Sequence, residues 1–136
     1  MNREIEFRGF DGTKWYYGDL EYSRKTDVAR VHTYKEDGSY DRQYFVDPDT
    51  VGQFTGMTDK YGVMVFEGDI LYVTVFDCFD NDKQYRVRVE WVGTEFMGVD
   101  VTNDDSAWNL CWLCNQNEEI EVIGNIHDNP ELLAAK

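Results

Sequence analysis

The sequence predicts a mostly β protein: a strongly bent antiparallel sheet or a small, partly open barrel, with a short C-terminal helical turn. Three observations point there. Apolar and polar residues alternate at period two in several short segments. Gly- and Asp-containing turns separate those segments. No 12-residue stretch repeats its apolar positions at helical spacing. Many short strands with glycine turns favour a bent sheet or barrel over a layered helix-and-sheet fold.

The elements follow in chain order. Ile5 and Phe7 alternate with Glu4, Glu6 and Arg8, which predicts a first strand with one wet face. Asp11-Gly12 is a hairpin-type turn, and Trp15 to Tyr22 reads as the return strand. Val28 to Tyr34 alternates again, with Val28, Arg30 and His32 on one face and Ala29, Val31 and Thr33 on the other. Lys35-Glu36-Asp37-Gly38 turns the chain into Tyr40 to Val46. Asp47-Pro48-Asp49-Thr50 interrupts the pattern. It reads either as a plain loop or as one helical turn with Asp47 as N-cap.

Beyond Gly62, Val63 to Phe66 is apolar, and Ile70 to Phe76 is strongly β-prone. Tyr85, Val87, Val89 and Trp91 alternate with Arg86, Arg88 and Glu90 to form its hairpin partner. Glu95 to Val101 is a further strand. Gly98 inside it marks a bulge or a close backbone approach. Ala107 to Leu113 reads as an apolar, strand-like run, and Ile120 to Ile126 as a last strand with Ile120, Val122, Gly124 and Ile126 on one face. Asn129-Pro130-Glu131 has the N-cap and N1 chemistry of a short terminal helix docked by Leu132 and Leu133.

A chain of 136 residues is expected to form one domain, with a possible division into an N-terminal hairpin part, 1–58, and a barrel-like part, 59–136. Its 8 Phe, 9 Tyr and 4 Trp supply ample core material. Asp and Glu outnumber Lys and Arg 27 to 13, a net charge of −14. Such a surface repels phosphate backbones and anionic membranes, so direct nucleic-acid binding and membrane association are not expected. The N-terminus MNREIEFRGF carries charge where a secretion signal needs an apolar run. A cytoplasmic protein is therefore expected, with Cys78, Cys111 and Cys114 as thiols.

Four stretches resemble the YopX family of phage- and prophage-encoded proteins: REIEFRGFDGTKWYYGDL (Arg3 to Leu20), VDPDTVGQFTGMTDKYG (Val46 to Gly62), VFEGDIL (Val65 to Leu71) and IEVIGNIHDNPELL (Ile120 to Leu133). They run in order along nearly the whole chain. The segments around 23–45 and 77–115 carry no such motif. His127, and the pair Met64-Val65, depart from the family pattern. The resemblance implies a mostly β fold, a phage or prophage origin and expression inside a bacterial host. It implies no particular activity. The motif residues Gly56, Gly62, Glu67, Gly68, Asp69, Gly124, Asn125 and Pro130 are read as structural.

Glu67 and Asp69 are the first chemical candidates, since two carboxylates at i and i+2 of a strand share a side. The glycine between them favours turn chemistry: Gly68 permits a bend, Asp69 accepts backbone N–H groups, and Ile70 enters the core. The Cys111-Trp112-Leu113-Cys114 pair would need further thiols or histidines for zinc, and Cys78, His32 and His127 are scattered. In an extended run the two sulfurs face opposite sides. Asp77, Asp80 and Asp82 have a calcium-like spacing without the glycine and closing Glu of an EF-hand. Trp15, Tyr16 and Tyr17, like Trp108 and Trp112, are read chiefly as core, with a recognition patch as the second reading. No nucleophile elbow, phosphate loop or dinucleotide motif is present.

The expectation is a non-enzymatic accessory or interaction protein without cofactor. It would act on an unknown host or phage protein, with homo-oligomerisation open because sheet edges invite pairing. The alternatives are an acidic decoy that inhibits a host DNA-binding protein, a metal-binding or hydrolytic protein using Glu67 and Asp69 or the Cys111–Cys114 pair, and an RNA-binding small barrel whose aromatics stack on bases.

Overall fold

The computed structural model describes residues 3–76, 82–116 and 120–134, with only the backbone of Gln116 included. The chain divides after Gly56 into two compact units.

The first unit holds β1 (Phe7–Phe10), β2 (Trp15–Ser23), β3 (Val28–Tyr34), β4 (Tyr40–Val46), a 3₁₀ turn (Pro48–Thr50) and the start of β5 (Gly52–Thr58). Its strand order is β4-β3-β2-β1-β5, which leaves β4 at one edge. The β1–β2 turn is held by Asp11, whose Oδ1 accepts the N–H groups of Thr13 and Lys14, each at 2.7 Å. Ala29, Val31 and Val46 form its buried core, with Tyr16, Leu20 and Val51 packed against them. The expected wet face of the first strand is not found. Arg8 is buried and Ile5 lies exposed before the strand begins. Arg8 pairs with Tyr17 on the side away from the core, and its guanidinium lies 4.8 Å from the Trp15 ring centroid, an aromatic cover that buries it there.

Asp47-Pro48-Asp49-Thr50 takes its helical alternative. Asp47 Oδ1 accepts the Asp49 N–H at 3.0 Å, and Pro48 occupies the first turn, where a missing N–H costs nothing. Thr50 Oγ1 accepts the Phe10 N–H at 2.9 Å and donates to the Asp47 carbonyl at 2.6 Å. These bonds fasten the turn to β1.

The second unit takes in the end of β5, then β6 (Met64–Phe66), β7 (Asp69–Phe76), β8 (Asp82–Val92), β9 (Glu95–Asp100), β10 (Ala107–Asn109), helix α1 (Leu110–Gln116), β11 (Glu121–Asn125) and a 3₁₀ turn (Pro130–Leu133). Five strands pair antiparallel in the order β10-β9-β8-β7-β11. Val65, Leu71, Val73, Val87, Val89, Leu110, Leu113 and Ile120 form its core. Of the two alternatives at Gly98, a bulge or a close approach, the structure takes the close approach. A Cβ there would stand 2.7 Å from Leu113 Cδ1 and 3.0 Å from Val87 Cγ2, so α1 seats directly on β9.

The mostly antiparallel β fold is as read, and the described sheets are open, not closed into a barrel. β10 pairs only Ala107, Trp108 and Asn109 with β9 before the chain turns helical. β11 slips register against β7 between Val122 and Gly124, so the single apolar face expected for Ile120 to Ile126 is broken.

Helix α1 replaces the strand-like run expected through Leu113. Leu110, Leu113 and Cys114 stand at i, i+3 and i+4; the leucines are buried and Cys114 packs on the core. Asn109 starts the helix: its Oδ1 accepts the Trp112 N–H at 2.9 Å, as an N-cap does. The terminal helix is a 3₁₀ turn in which Asn129 makes no side-chain cap. Its Oδ1 accepts the Asn125 N–H at 3.2 Å instead.

Candidate interaction face on the first unit

Strand alternation decides which side chains of β2, β3 and β4 share a surface. Leu20 pairs with Val31 and Val31 with Tyr44, on the side that carries the core. Asp19 and Glu21 oppose His32 and Arg30; Arg30 and His32 oppose Phe45 and Gln43; Tyr34 opposes Tyr40. These residues, with Tyr17, occupy the other side. Tyr17, Tyr34, Tyr40 and Phe45 are 46, 50, 51 and 62% exposed, a high share for four large rings on one face.

Polar contacts order this face. Arg30 Nη1 lies 3.3 Å from Glu21 Oε2, and its guanidinium sits 5.2 Å from the Phe45 ring centroid. His32 donates from Nε2 to Glu21 Oε1 at 2.9 Å, while its Nδ1 is 3.2 Å from the Tyr40 hydroxyl. The His32 hydrogen bond, seconded by the Arg30 charge, holds the Glu21 carboxyl below its ordinary pKa. Tyr34 donates to Asp19 Oδ2 at 2.9 Å, which pushes the Tyr34 hydroxyl above its usual value. Tyr34 also meets Tyr40 edge to face at 5.9 Å. Tyr34, Tyr40 and Phe45 are thus positioned by neighbours on the face itself and remain about half exposed or more.

The Glu67-Gly68-Asp69 step lies in the second unit, between β6 and β7. Gly68 has φ of 93°, its N–H donates to the Val89 carbonyl at 2.9 Å, and its carbonyl accepts the Ile126 N–H at 2.9 Å. Asp69 is buried, and its Oδ2 accepts the Phe66 N–H at 2.7 Å. The carboxylate therefore serves the bend between the strands. A second carboxylate of this kind stands just upstream. Asp59 Oδ1 accepts the N–H groups of Tyr61 and Val63, both at 2.9 Å, and Oδ2 accepts that of Val122 at 3.0 Å. Burial pushes the Asp59 carboxyl up, and the bonds from Val122, Val63 and Tyr61 outweigh it to leave the pKa lowered.

The YopX protein family matches residues 6–134. The chain belongs to the YopX family. Among solved structures it is similar to protein EF1440 from Enterococcus faecalis, with a TM-score of 0.58 at 22% identity, covering 98% of this chain and 100% of that one. This likeness carries the fold. No curated protein is similar enough to count as a relative.

The remaining YopX motif residues sit at bends. Gly56 and Gly62 have φ of 90° and 80°, in β5 and in the turn closed by the Gly62 N–H on the Asp59 carbonyl. Gly124 lies at the β11 register shift, with the Asn129 side chain against it. Asn125 Oδ1 accepts the N–H groups of His127 and Asp128 at 3.0 and 2.9 Å, and Pro130 opens the last 3₁₀ turn.

The predicted aromatic triplet does not form one patch. Tyr16 faces the core side and stacks on Tyr44 at 3.7 Å, whereas Trp15 and Tyr17 face the other way. Of the pair read chiefly as core, Trp108 packs on Tyr85 at 4.8 Å, but Trp112 is exposed on α1. Cys111 and Cys114 do not point to opposite sides of a strand; they stand at i and i+3 of α1, one exposed and one half-buried. Burial, with the neighbouring Cys111, pushes the Cys114 thiol up to about 11, the reverse of an activated thiol. Among the described residues no three His, Cys, Asp or Glu side chains gather as a metal site. Cys78 and most of the calcium-like string, Asp77 and Asp80, lie outside the described residues; Asp82 begins β8. No helix among the described residues is long and apolar enough to cross a membrane.

Reading the sequence did not single out Tyr34, Tyr40 and Phe45. The available signal was period two: Arg30, His32 and Tyr34 alternate with Ala29, Val31 and Thr33. An alternation that sets aromatics beside charges marks a face that is outward yet apolar.

Proposed function

We propose that this YopX protein is a non-enzymatic accessory protein of a phage or prophage that binds a host or phage protein through the β2–β3–β4 face. One observation carries this reading: Tyr17, Tyr34, Tyr40 and Phe45 are exposed on one face, where Asp19, His32 and Arg30 contact Tyr34, Tyr40 and Phe45 in turn. Tyr and Arg ordered before binding are the residue types that dominate interface energetics, because little side-chain freedom is left to lose. The partner is one that sets apolar surface among basic residues, matching a chain of net charge −14.

The acidic-decoy alternative needs a ridge of available carboxylates. On this face Asp19 and Glu21 are engaged by Tyr34, His32 and Arg30, which favours the aromatic reading. The hydrolytic alternative draws no support from Asp69, whose carboxylate holds the Phe66 N–H.

The test is affinity capture from a bacterial host with the native chain and with Phe45→Ala and Tyr40→Ala variants. A protein bound by the native chain, released by salt and weakened by about 2 kcal/mol in each variant is the expected result. Capture of the same protein with unchanged affinity by both variants would refute the assignment of the face. Sedimentation over a range of concentrations distinguishes a foreign partner from a second copy pairing along the β4 edge.

A further inference from the structure

Among the described residues, β4 is the longest strand that ends a sheet. β6 and β10 have three residues each and β11 has five with a break in register, whereas β4 has seven. Its pairing with β3 is unbroken over the five residues from Arg42 to Val46, and the register shift lies at the turn end, between Thr33 and Tyr34. That stretch contains no Pro or Lys, the residues that most often guard such an edge, and Arg42 at its end is its only charge.

The ladder decides which backbone groups face outward. A Cβ at Gly18 would run into the His32 carbonyl oxygen, so that carbonyl points toward β2. Successive residues of a paired strand send their N–H and C=O groups to opposite sides. Ala29, Val31 and Thr33 therefore face β4, and their partners Val46, Tyr44 and Arg42 face back to them. The N–H and C=O groups of Gln43 and Phe45 are left pointing away from the sheet. Donor and acceptor pairs set two residues apart along one line are the complement of another extended chain.

A strand laid on this edge would set alternate side chains beside Gln43 and Phe45, on the aromatic face. The exposed Phe45 ring offers them apolar surface and a seat for a cation, as it already does for Arg30. Charge selects among extended chains. A second copy would bring −14 against −14, whereas a segment rich in Lys or Arg is attracted.

We infer that the β4 edge takes up an extended, basic segment of another protein as an added strand, held by the backbone groups of Gln43 and Phe45. The inference rests on the reading of the β2–β3–β4 face as protein-binding and names how the partner's backbone is held.

Amide proton–nitrogen correlation spectra of the full chain test it with three acetylated and amidated heptapeptides: one alternating Lys and Val, one with Glu in place of Lys, and the Lys–Val peptide N-methylated at every residue. Saturable shifts and slowed exchange at the Gln43 and Phe45 amides are expected with the Lys–Val peptide. The Glu peptide should bind about tenfold more weakly or worse. The N-methylated peptide, which cannot donate to the edge, should not bind. Gln43→Pro, which removes an outward N–H where a strand tolerates proline, should weaken binding about three- to tenfold, while Gln43→Ala leaves it unchanged. Absence of the shifts with the Lys–Val peptide, or equal binding of the Glu or N-methylated peptide, overturns the inference. Dimerisation of the chain alone, seen by sedimentation and abolished by Gln43→Pro, assigns the edge to a second copy and also overturns it. Capture that depends on Phe45 and Tyr40, without shifts at the Gln43 and Phe45 amides, removes this inference and leaves the aromatic face standing. Shifts at those amides, with capture unchanged in Phe45→Ala and Tyr40→Ala, leave the edge and remove the side-chain face.

Discussion

Asp59 accepts three backbone N–H groups with two oxygens, from Tyr61, Val63 and Val122. It thereby ties the turn before β6 to β11, and the Lys60 N–H on the Ile120 carbonyl at 3.0 Å reinforces the join. Removing the carboxylate leaves three partly buried donors short of a partner, the costly side of hydrogen-bond energetics. Asp59→Ala should lower stability by about 3 kcal/mol, and Asp59→Asn, which still offers one oxygen, by about 1–2 kcal/mol. Urea unfolding followed by tryptophan fluorescence measures both, since three of the four Trp lie in the second unit. The sign of the pH effect follows from the lowered pKa. The unfolded chain takes up this proton first, near the ordinary 3.8, so the contribution is complete above that value and is lost as pH falls through the lower folded pKa. The native chain should therefore lose stability more steeply than Asp59→Asn below that value; parallel curves would remove Asp59 from the explanation. At Gly68, φ of 93° is a conformation that a Cβ opposes, so Gly68→Ala should cost about 1–2 kcal/mol in the same assay.

Among the elements, α1 shows how a seven-residue helix exists at all. A helix that short is not stable by itself. It persists because Leu110 and Leu113 are buried against the strands, each worth roughly 1.5–3 kcal/mol of apolar transfer, and because Asn109 caps its first turn. Asn109 also donates from Nδ2 to Glu95 Oε2 at 2.8 Å, which binds the cap to β9. Asn109→Ala should cost about 1 kcal/mol and raise the amide exchange rate of Trp112 selectively. Asn109→Ser, which keeps a cap acceptor without setting a second carboxylate against Glu95, should restore Trp112 protection. Unchanged Trp112 exchange in Asn109→Ala would show that packing alone holds the helix.

For the whole molecule, the excess of acids sets an electrostatic preference that single residues do not. A partner drawn by it should bind less tightly as salt rises, while the aromatic contacts of Phe45 and Tyr40 should change dissociation more than association. Because Phe45 and Tyr40 are exposed, their alanine variants should keep the native unfolding free energy within about 0.5 kcal/mol. Lost capture with retained stability separates a binding role from a folding role. A stability loss well beyond that would mean that the face supports the sheet as well as facing a partner.

The sequence by itself determined most of the strands, their turns and the family, because period-two alternation, Asp-Gly steps and Pro positions act over a few neighbouring residues. It indicated that Gly68 bends and that Gly98 marks either a bulge or a close approach, of which the packing of Leu113 decided the second. Only tertiary structure decided that Leu110 to Gln116 coils, since buried leucines three residues apart override a run that looks equally extended. It also decided that Arg8 is buried against the Trp15 ring, and that Asp59 reaches across to Val122, 63 residues away. Side chains of three strands meet on one exposed face because pairing register brings them together, and register is a property of the assembled sheet.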